Sequence, residues 1–298
     1  MPDYTITELN ISWTGLINLP DDIDKYTNLE KLYCNYNKIT RLDNLPNGQQ
    51  DGHDDKPLGL PPNLEILKCW NNQITSLDNL PTKLEVLYCQ SNQLTSLDNL
   101  PPNLKELYCH WNKLTSLDNL PQKLEILHCY DNQITSLDNL PPNLEKLYCY
   151  NNKITILDNL PPKLEVLYCW NNNITSLDNL PQKLKVLHCH KNKLTSLDNL
   201  PPTLEYLGCS NNQITSLDNL PPKLEFLNCC ENQLTSIDNL PPTLKALHCY
   251  TNQLTSLDNL PPKLDDLNCN HNPLKYDFVP TLENIRNYNA SRMLSSNT

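Results

Sequence analysis

The chain has 298 residues, 34 acidic and 23 basic side chains, a formal net charge of −11 at pH 7, 13 cysteines and 5 glycines. The acidic balance argues against nucleic acid or an anionic membrane as the main partner. No apolar run approaches bilayer-spanning length, and the polar start, with Asp3 and Glu8, reads as no secretory leader, so a reducing cytoplasm is the expected setting.

In chain order, residues 1–28 read as an N-terminal cap holding a degenerate copy of a motif, from Ile6 through Leu9, Ile11, Thr14 and Leu16, with Trp13 expected to close that end. A clearer copy starts at Leu29 and carries Leu32, Cys34, Asn37 and Ile39. An inserted stretch, Asn47 to Gly59, then interrupts the period; it holds Asp51-Gly-His53-Asp54-Asp55 and almost no apolar residues. A solvated loop, dispensable for folding, is the expectation there. A calcium loop is the sharper alternative, although the ligand spacing matches no known loop pattern. From Leu64 to Leu264 a copy begins every 20 residues without a slip. The repeats are read as residues 29–275, with a cap and tail at 276–298. In that tail Phe278, Leu282, Ile285 and Tyr288 fall at helical spacing after Pro280-Thr281, which predicts a helix covering the last strand edge.

One copy shows why the units must stack. In Leu64 to Lys83, the alternation Leu67-Lys68-Cys69-Trp70 has the period of a strand, with Leu67 and Cys69 on one face. Asn72 follows where the chain turns away, and its amide is expected to bond the turn backbone of its own and the next copy. The stretch Ile74 to Leu80 returns along the back, where the Leu-Pro-Pro phrase favours extended polyproline-II geometry over a helix. A unit of this size cannot bury its own apolar side, so copies assemble into a repeat solenoid with a parallel concave sheet.

The pattern Leu-x-x-Leu-x-Cys-x-x-Asn-x-(Ile/Leu)-Thr-Ser-Leu-Asp-Asn-Leu-Pro-Pro resembles the leucine-rich repeat family. The short period and the Leu-Pro-Pro-x-Leu-x-x-Leu phrase resemble the bacterial 20-residue class found in YopM-like and IpaH-like effectors. Two departures stand out: Leu-Asp-Asn-Leu-Pro on the back where that class has Leu-Pro-x-Leu-Pro, and Cys in place of an aliphatic strand residue. No room follows the repeats for the ubiquitin-ligase domain of the IpaH-like proteins. The near-identical copies, rich in Asn, Lys, Ile and Tyr, also resemble leucine-rich repeat proteins of giant amoebal viruses. The resemblance implies a horseshoe fold, protein binding without catalysis, and a viral or bacterial effector acting on host proteins.

Twelve of the cysteines, Cys34 and then Cys69 to Cys269, occupy one inward position of the repeat and are expected to be buried free thiols packing as small hydrophobes. Parallel in-register strands do not offer the disulfide torsion, and no Cys-x-x-Cys spacing suggests a metal. Cys230 falls instead in an outward column, where fast alkylation is expected. No nucleophile motif, phosphate-cradling loop or zinc-protease pattern is present, so no enzyme activity, cofactor or metal is assigned.

Variation between copies is concentrated in three outward columns of the strands, which line the concave face. The second column carries Tyr88, Tyr108, His128, Tyr148, Tyr168 and His188, and the third Trp70, His110, Tyr130, Tyr150, Trp170 and His190. These twelve are the candidate partner-binding residues, because Tyr, Trp and His in such numbers match interface composition. Eleven strands at about 4.8 Å make a face of roughly 1,000 Å², the scale of one side of a protein interface. The densest cluster runs from Tyr148 to His190, with a step at Gly208 and Ser210 into which a partner side chain could fit. The pair His188 and His190 adds an expected pH response between about 6 and 7. A monomer that binds protein, and neither nucleic acid nor membrane, is the preferred reading. A structural, self-associating particle component and carbohydrate binding by the aromatic row remain the alternatives.

Overall fold

The computed structural model describes residues 2–43 and 59–295. The chain forms two compact units, divided between Asn152 and Lys153. The first contains seven three-residue strands: β1 (Glu8–Asn10), β2 (Lys31–Tyr33), β3 (Ile66–Lys68), β4 (Val86–Tyr88), β5 (Glu106–Tyr108), β6 (Ile126–His128) and β7 (Lys146–Tyr148). The second contains β8 (Val166–Tyr168), β9 (Val186–His188), β10 (Tyr206–Gly208), β11 (Phe226–Asn228), β12 (Ala246–His248), β13 (Asp266–Asn268) and one helix, α1 (Leu282–Ser295). Within each unit every strand pairs in parallel with its sequence neighbour, and equivalent repeat positions are partners: Leu67 faces Leu87 in the first unit and Leu187 faces Leu207 in the second. Each unit is therefore a leucine-rich-repeat solenoid. From β3 to β13 the return segments carry neither helix nor strand.

The inward columns close the core. Leu67, Cys69 and Ile74 of one copy, like Leu187, Cys189 and Leu194 of another, are fully buried. All thirteen cysteines are free. Thiols also donate weakly to the next strand's carbonyl, as Cys69 Sγ does to Tyr88 O at 3.4 Å, a contact an aliphatic side chain at that position cannot make. Burial drives the thiols away from ionisation: Cys34 is pushed up to about 12.

The asparagine ladder exists, but it points backwards. The amide nitrogen of Asn92 donates to Cys89 O of its own copy at 3.0 Å and to Cys69 O of the preceding copy at 3.1 Å. Its Oδ1 accepts the Ile74 N–H, also of the preceding copy, at 2.9 Å. The expected bonds to the next copy are thus reversed. The cysteine N–H donates forward, as Cys89 N does to Tyr108 O at 2.9 Å, while Val86 N, at the start of the same strand, donates backward to Glu65 O at 3.1 Å; the carbonyl of the preceding cysteine is the acceptor within reach of the amide. The second unit repeats the arrangement, with Asn252 donating to Cys249 O and Cys229 O, each at 3.1 Å, and accepting Leu234 N–H.

Two residues of each regular copy from the one at Leu64 to the one at Leu244 adopt left-handed backbone angles. Asn79, Asn99 and their equivalents to Asn259 have φ near 60°, from 58° to 61°. Asn tolerates that region better than other residues with a Cβ, which accounts for the Asp-Asn phrase on the back. The second left-handed seat follows the third outward column and holds Asn71, Ser91, Trp111 and Asp131 in successive copies.

The ends differ from their expected form. Trp13 does not close the N-terminal core: its indole lies on Tyr36, centroids 3.6 Å apart, and stays 71% exposed because its left-handed backbone, φ 62°, aims it at the rim. Leu19, Ile23 and Tyr26, around a short 3-10 turn at Ile23–Lys25, bury that end instead. The inserted stretch lies outside the described residues apart from Gly59, and β2 pairs with β3 in register on either side of it. At the C-terminus Thr281 caps α1, its Oγ1 accepting Asn284 N–H at 3.2 Å. The helix is not anchored along β13 as expected. It buries Ile285, while Arg286 donates to Leu264 O at 2.7 Å, just ahead of β13, and Asn289 to Leu257 O at 2.9 Å on the last return segment.

Asn92→Ala leaves Ile74 N–H and a cysteine carbonyl short of partners in a buried turn. It is expected to cost about 1–3 kcal/mol, whereas Gln93→Ala, on the exposed neighbour, should leave the denaturation midpoint within experimental error. Coincident urea titrations of the two variants would refute the ladder.

Candidate functional site

The outward strand face holds all twelve residues picked out by sequence, and their rings lie against one another. In the first unit Tyr88 stacks on Tyr108 at 4.3 Å and 9°, Tyr108 on His128 at 4.5 Å and His128 on Tyr148 at 4.0 Å. One column over, His110 stacks on Tyr130 at 4.1 Å and Tyr130 on Tyr150 at 4.2 Å. Trp70 leaves this row and meets Tyr36 edge-on at 4.4 Å. In the second unit Tyr168 meets His188 at 4.2 Å, and Trp170 stacks on His190 at 5.0 Å and 9°.

Strand spacing explains the ladder. In-register parallel strands set equivalent side chains roughly 4.8 Å apart, so planar rings at one position pack face to face with a small tilt. Each pair contributes about 0.5–1.5 kcal/mol beyond its area. Stacking consumes the ring faces and leaves mainly the edges turned outward. Most of these side chains are half-buried, and His110 is only 7% exposed. These aromatics have no core to enter, and the rings supply that packing to one another.

Two expectations about the site are corrected, and one residue lies outside the candidate set. Cys230 is fully buried: it is a short side chain in an outward column, Tyr250 of the next copy interacts with it, and burial pushes its thiol up to about 12. The step at Gly208 is filled, since a Cβ built there would lie 3.1 Å from Nδ1 of His188; the imidazole leans into the space the glycine leaves. Finally, Trp111 is 54% exposed on the rim, edge-on to His110 at 5.1 Å. It is the first residue past the third column, and periodicity alone gives no reason to expect an indole in a left-handed seat.

The expected pH response between 6 and 7 is also corrected. Burial lowers His110, His128 and His190 to about 4 and lowers His188 as well, with His128 adding to the shift at His110 and His188 to that at His190. These imidazoles are neutral at pH 7. Among the described residues no group of three or more His, Cys, Asp or Glu is placed to hold a metal ion, and no helix is long and apolar enough to cross a membrane.

Short parallel strands in register, a backward asparagine ladder and helix-free returns define a short-repeat leucine-rich-repeat solenoid. The family of leucine-rich repeats (2 copies) matches in overlapping windows from residue 62 to 242, five in all, and the chain belongs to it. Among solved structures, YopM from Yersinia enterocolitica is 32% identical with a TM-score of 0.67, over 84% of this chain and 66% of that one. The functional domain of InlJ from Listeria monocytogenes, described as including a cysteine ladder, is 33% identical with a TM-score of 0.72, over 89% and 58%. YopM from Yersinia pestis, described as a leucine-rich effector protein, is 30% identical with a TM-score of 0.64, over 93% and 87%. The chain thus spans less than two thirds of the first two. No curated protein sequence matches it. Leucine-rich-repeat folds are typically non-enzymatic scaffolds for protein interaction.

Alkylation of the native protein should be slow at all thirteen thiols, Cys230 included. Tyr250→Ala should release Cys230 selectively, seen by mass spectrometry as rapid single-site labelling; unchanged labelling would remove Tyr250 as its cover. Histidines whose folded pKa lies near 4 add protons only in the unfolded chain between about pH 4 and 6.5. Their contribution is full above pH 6.5 and is lost as pH falls towards 4. Thermal melts should therefore drop across that window, and less steeply for His110→Phe; parallel profiles would show that His110 already titrates in the folded state.

Proposed function

We propose that this chain is a non-catalytic protein-binding scaffold that engages its partner through the outward strand face, the concave face expected from the sequence. The observation that carries the reading is that the face is where the copies differ, while the inward and return columns stay nearly constant. Half-buried, stacked aromatic side chains are already ordered before binding, which lowers the entropy cost of an interface. Trp170, stacked on His190, is the anchor we assign in the second unit, with Tyr168 and His188 beside it. In the first unit Tyr88, Tyr108, His110, His128, Tyr130, Tyr148 and Tyr150 form the corresponding ladder, and Trp70 lies on the rim with Tyr36. The stacked ring faces disfavour carbohydrate, which packs on open faces.

An effector acting on host proteins in a reducing cytoplasm is the setting we propose, from the likeness to YopM and from thirteen free thiols. Self-association is the second reading, favoured by Trp13 and Ile17, which are 71% and 64% exposed near the first strand; concentration-dependent elution in gel filtration would support it. Affinity purification from host-like cells tests the main reading. Trp170→Ala should weaken the captured partner by at least about 2 kcal/mol with little change in the melting curve, and Lys163→Ala on the back should bind as wild type. Equal affinities for wild type and Trp170→Ala would move the site to Tyr88, Tyr108 and His110.

A further inference from the structure

The outward face of β8 to β12, five of the six strands of the second unit, has a property that the first unit lacks. Across β8 to β12 its three columns run from Val166, Tyr168 and Trp170 to Ala246, His248 and Tyr250, and none of the fifteen positions is Asp, Glu, Lys or Arg. The chain as a whole is 19% charged with a net charge of −11. The same columns of the first unit carry Lys68, Glu106 and Lys146.

Around this stretch charge is confined to the two rims and to Asp266 at its β13 end, where the carboxylate meets His248 Nε2 at 2.9 Å, and much of it is already paired. On one side Lys185 meets Glu165 at 2.8 Å and Lys245 meets Glu225 at 2.6 Å. On the other, Glu231 accepts from Asn211 at 2.8 Å and from the Tyr250 hydroxyl at 3.3 Å. Between these rims lie aliphatic side chains, rings stacked face to face, as Tyr206 on Phe226 at 4.1 Å and 4°, the buried Cys230 and the backbone of Gly208 under His188.

We propose that this strip of the second unit is the docking surface for an uncharged, extended segment of a partner polypeptide. The proposal rests on the protein-binding reading above and deepens it. A charged group brought onto the strip would lose its water and find no counter-charge in the columns of β8 to β11, since Asp266, the one carboxylate on the face of this unit, lies beyond them against His248; that is strongly unfavourable. A neutral chain loses little, and its amide groups can meet the hydroxyl and ring-nitrogen atoms at the ring edges. A sugar is disfavoured because the ring faces it would stack on are taken. Five strands at about 4.8 Å give a strip of roughly 19 Å, the length of about six extended residues at 3.3 Å each.

Panning a phage-displayed library of random 12-residue peptides on the full chain tests this with a defined probe. The enriched peptides should have uncharged centres. Titration calorimetry should find their affinity changing less than about twofold between low and high salt, as expected where no exposed ion pairs form. Ser210→Glu and Ala246→Glu, each adding a charge at a half-buried position of the strip, should each weaken binding at least about tenfold. Lys146→Glu, on the face of the first unit, should not, and circular dichroism would confirm that all three variants fold. Salt-sensitive peptides rich in charge that respond to Lys146→Glu alone would overturn the neutral strip and keep the strand face as a protein-binding site. Peptides indifferent to all three variants would overturn both. Failure to enrich any peptide, with Ser210→Glu-sensitive capture of a neutral glycan on an array, would overturn the polypeptide occupant.

Discussion

A parallel strand of three residues makes too few backbone bonds to hold a 20-residue turn of chain in place, and the asparagine at its end makes up the difference. Each amide joins its own turn to the carbonyl and N–H of the copy before it, as Asn92 does with Cys69 O and Ile74 N. Asp would lack the donors, Gln would overreach, and a hydroxyl could not serve two carbonyls and an N–H together. The group is also neutral, so a column of them stacks without repulsion. Every other regularity follows from this register: leucines meet leucines, thiols meet thiols, and side chains on the outward face stand one strand spacing from their equivalents.

The same register governs the outward face. Once equivalent positions lie a ring's thickness apart with a little to spare, an aromatic residue placed beside another will stack on it, and a histidine between tyrosines joins the row. His110, His128 and His190 are held neutral by that packing. The exceptions are as informative as the rule. A glycine at position 208 is occupied by its neighbour's ring, and a cysteine at position 230 is roofed by Tyr250. Small residues on this face therefore do not make holes; larger neighbours lean over them.

Most of the fold was legible because the period is strict. Strand positions, the buried thiol ladder and the helix after Pro280-Thr281 all follow from residue type and spacing. What sequence could not show is the direction in which a side chain reaches. The amide of Asn72 could serve the copy on either side by spacing alone, and only the placement of Cys34 O and Ile39 N decides it. Trp13 reads as an end cap by size, yet its left-handed backbone sends it to the rim. The candidate site was legible as a set of columns, since copy-to-copy variation marks them. Its surface was not, because exposure there depends on which ring covers which neighbour.

Stacking has a consequence for any account of binding on this face. A ring that contributes to the ladder stabilises the array and also presents an edge to a partner, so truncation removes both contributions and the two cannot be separated by alanine alone. Conservative changes can separate them. Tyr→Phe keeps the stacked face and removes the edge hydroxyl, so a loss of affinity without a loss of stability isolates the edge. His→Phe keeps the plane and removes the ring nitrogens. Because the outward columns of the first unit carry Lys68, Glu106 and Lys146 while those of β8 to β12 carry no charged residue, the two units offer chemically different surfaces built from one repeat. The asparagine ladder makes this division possible. With register secured by a buried neutral amide, the outward columns are released from holding the copies together and are free to differ.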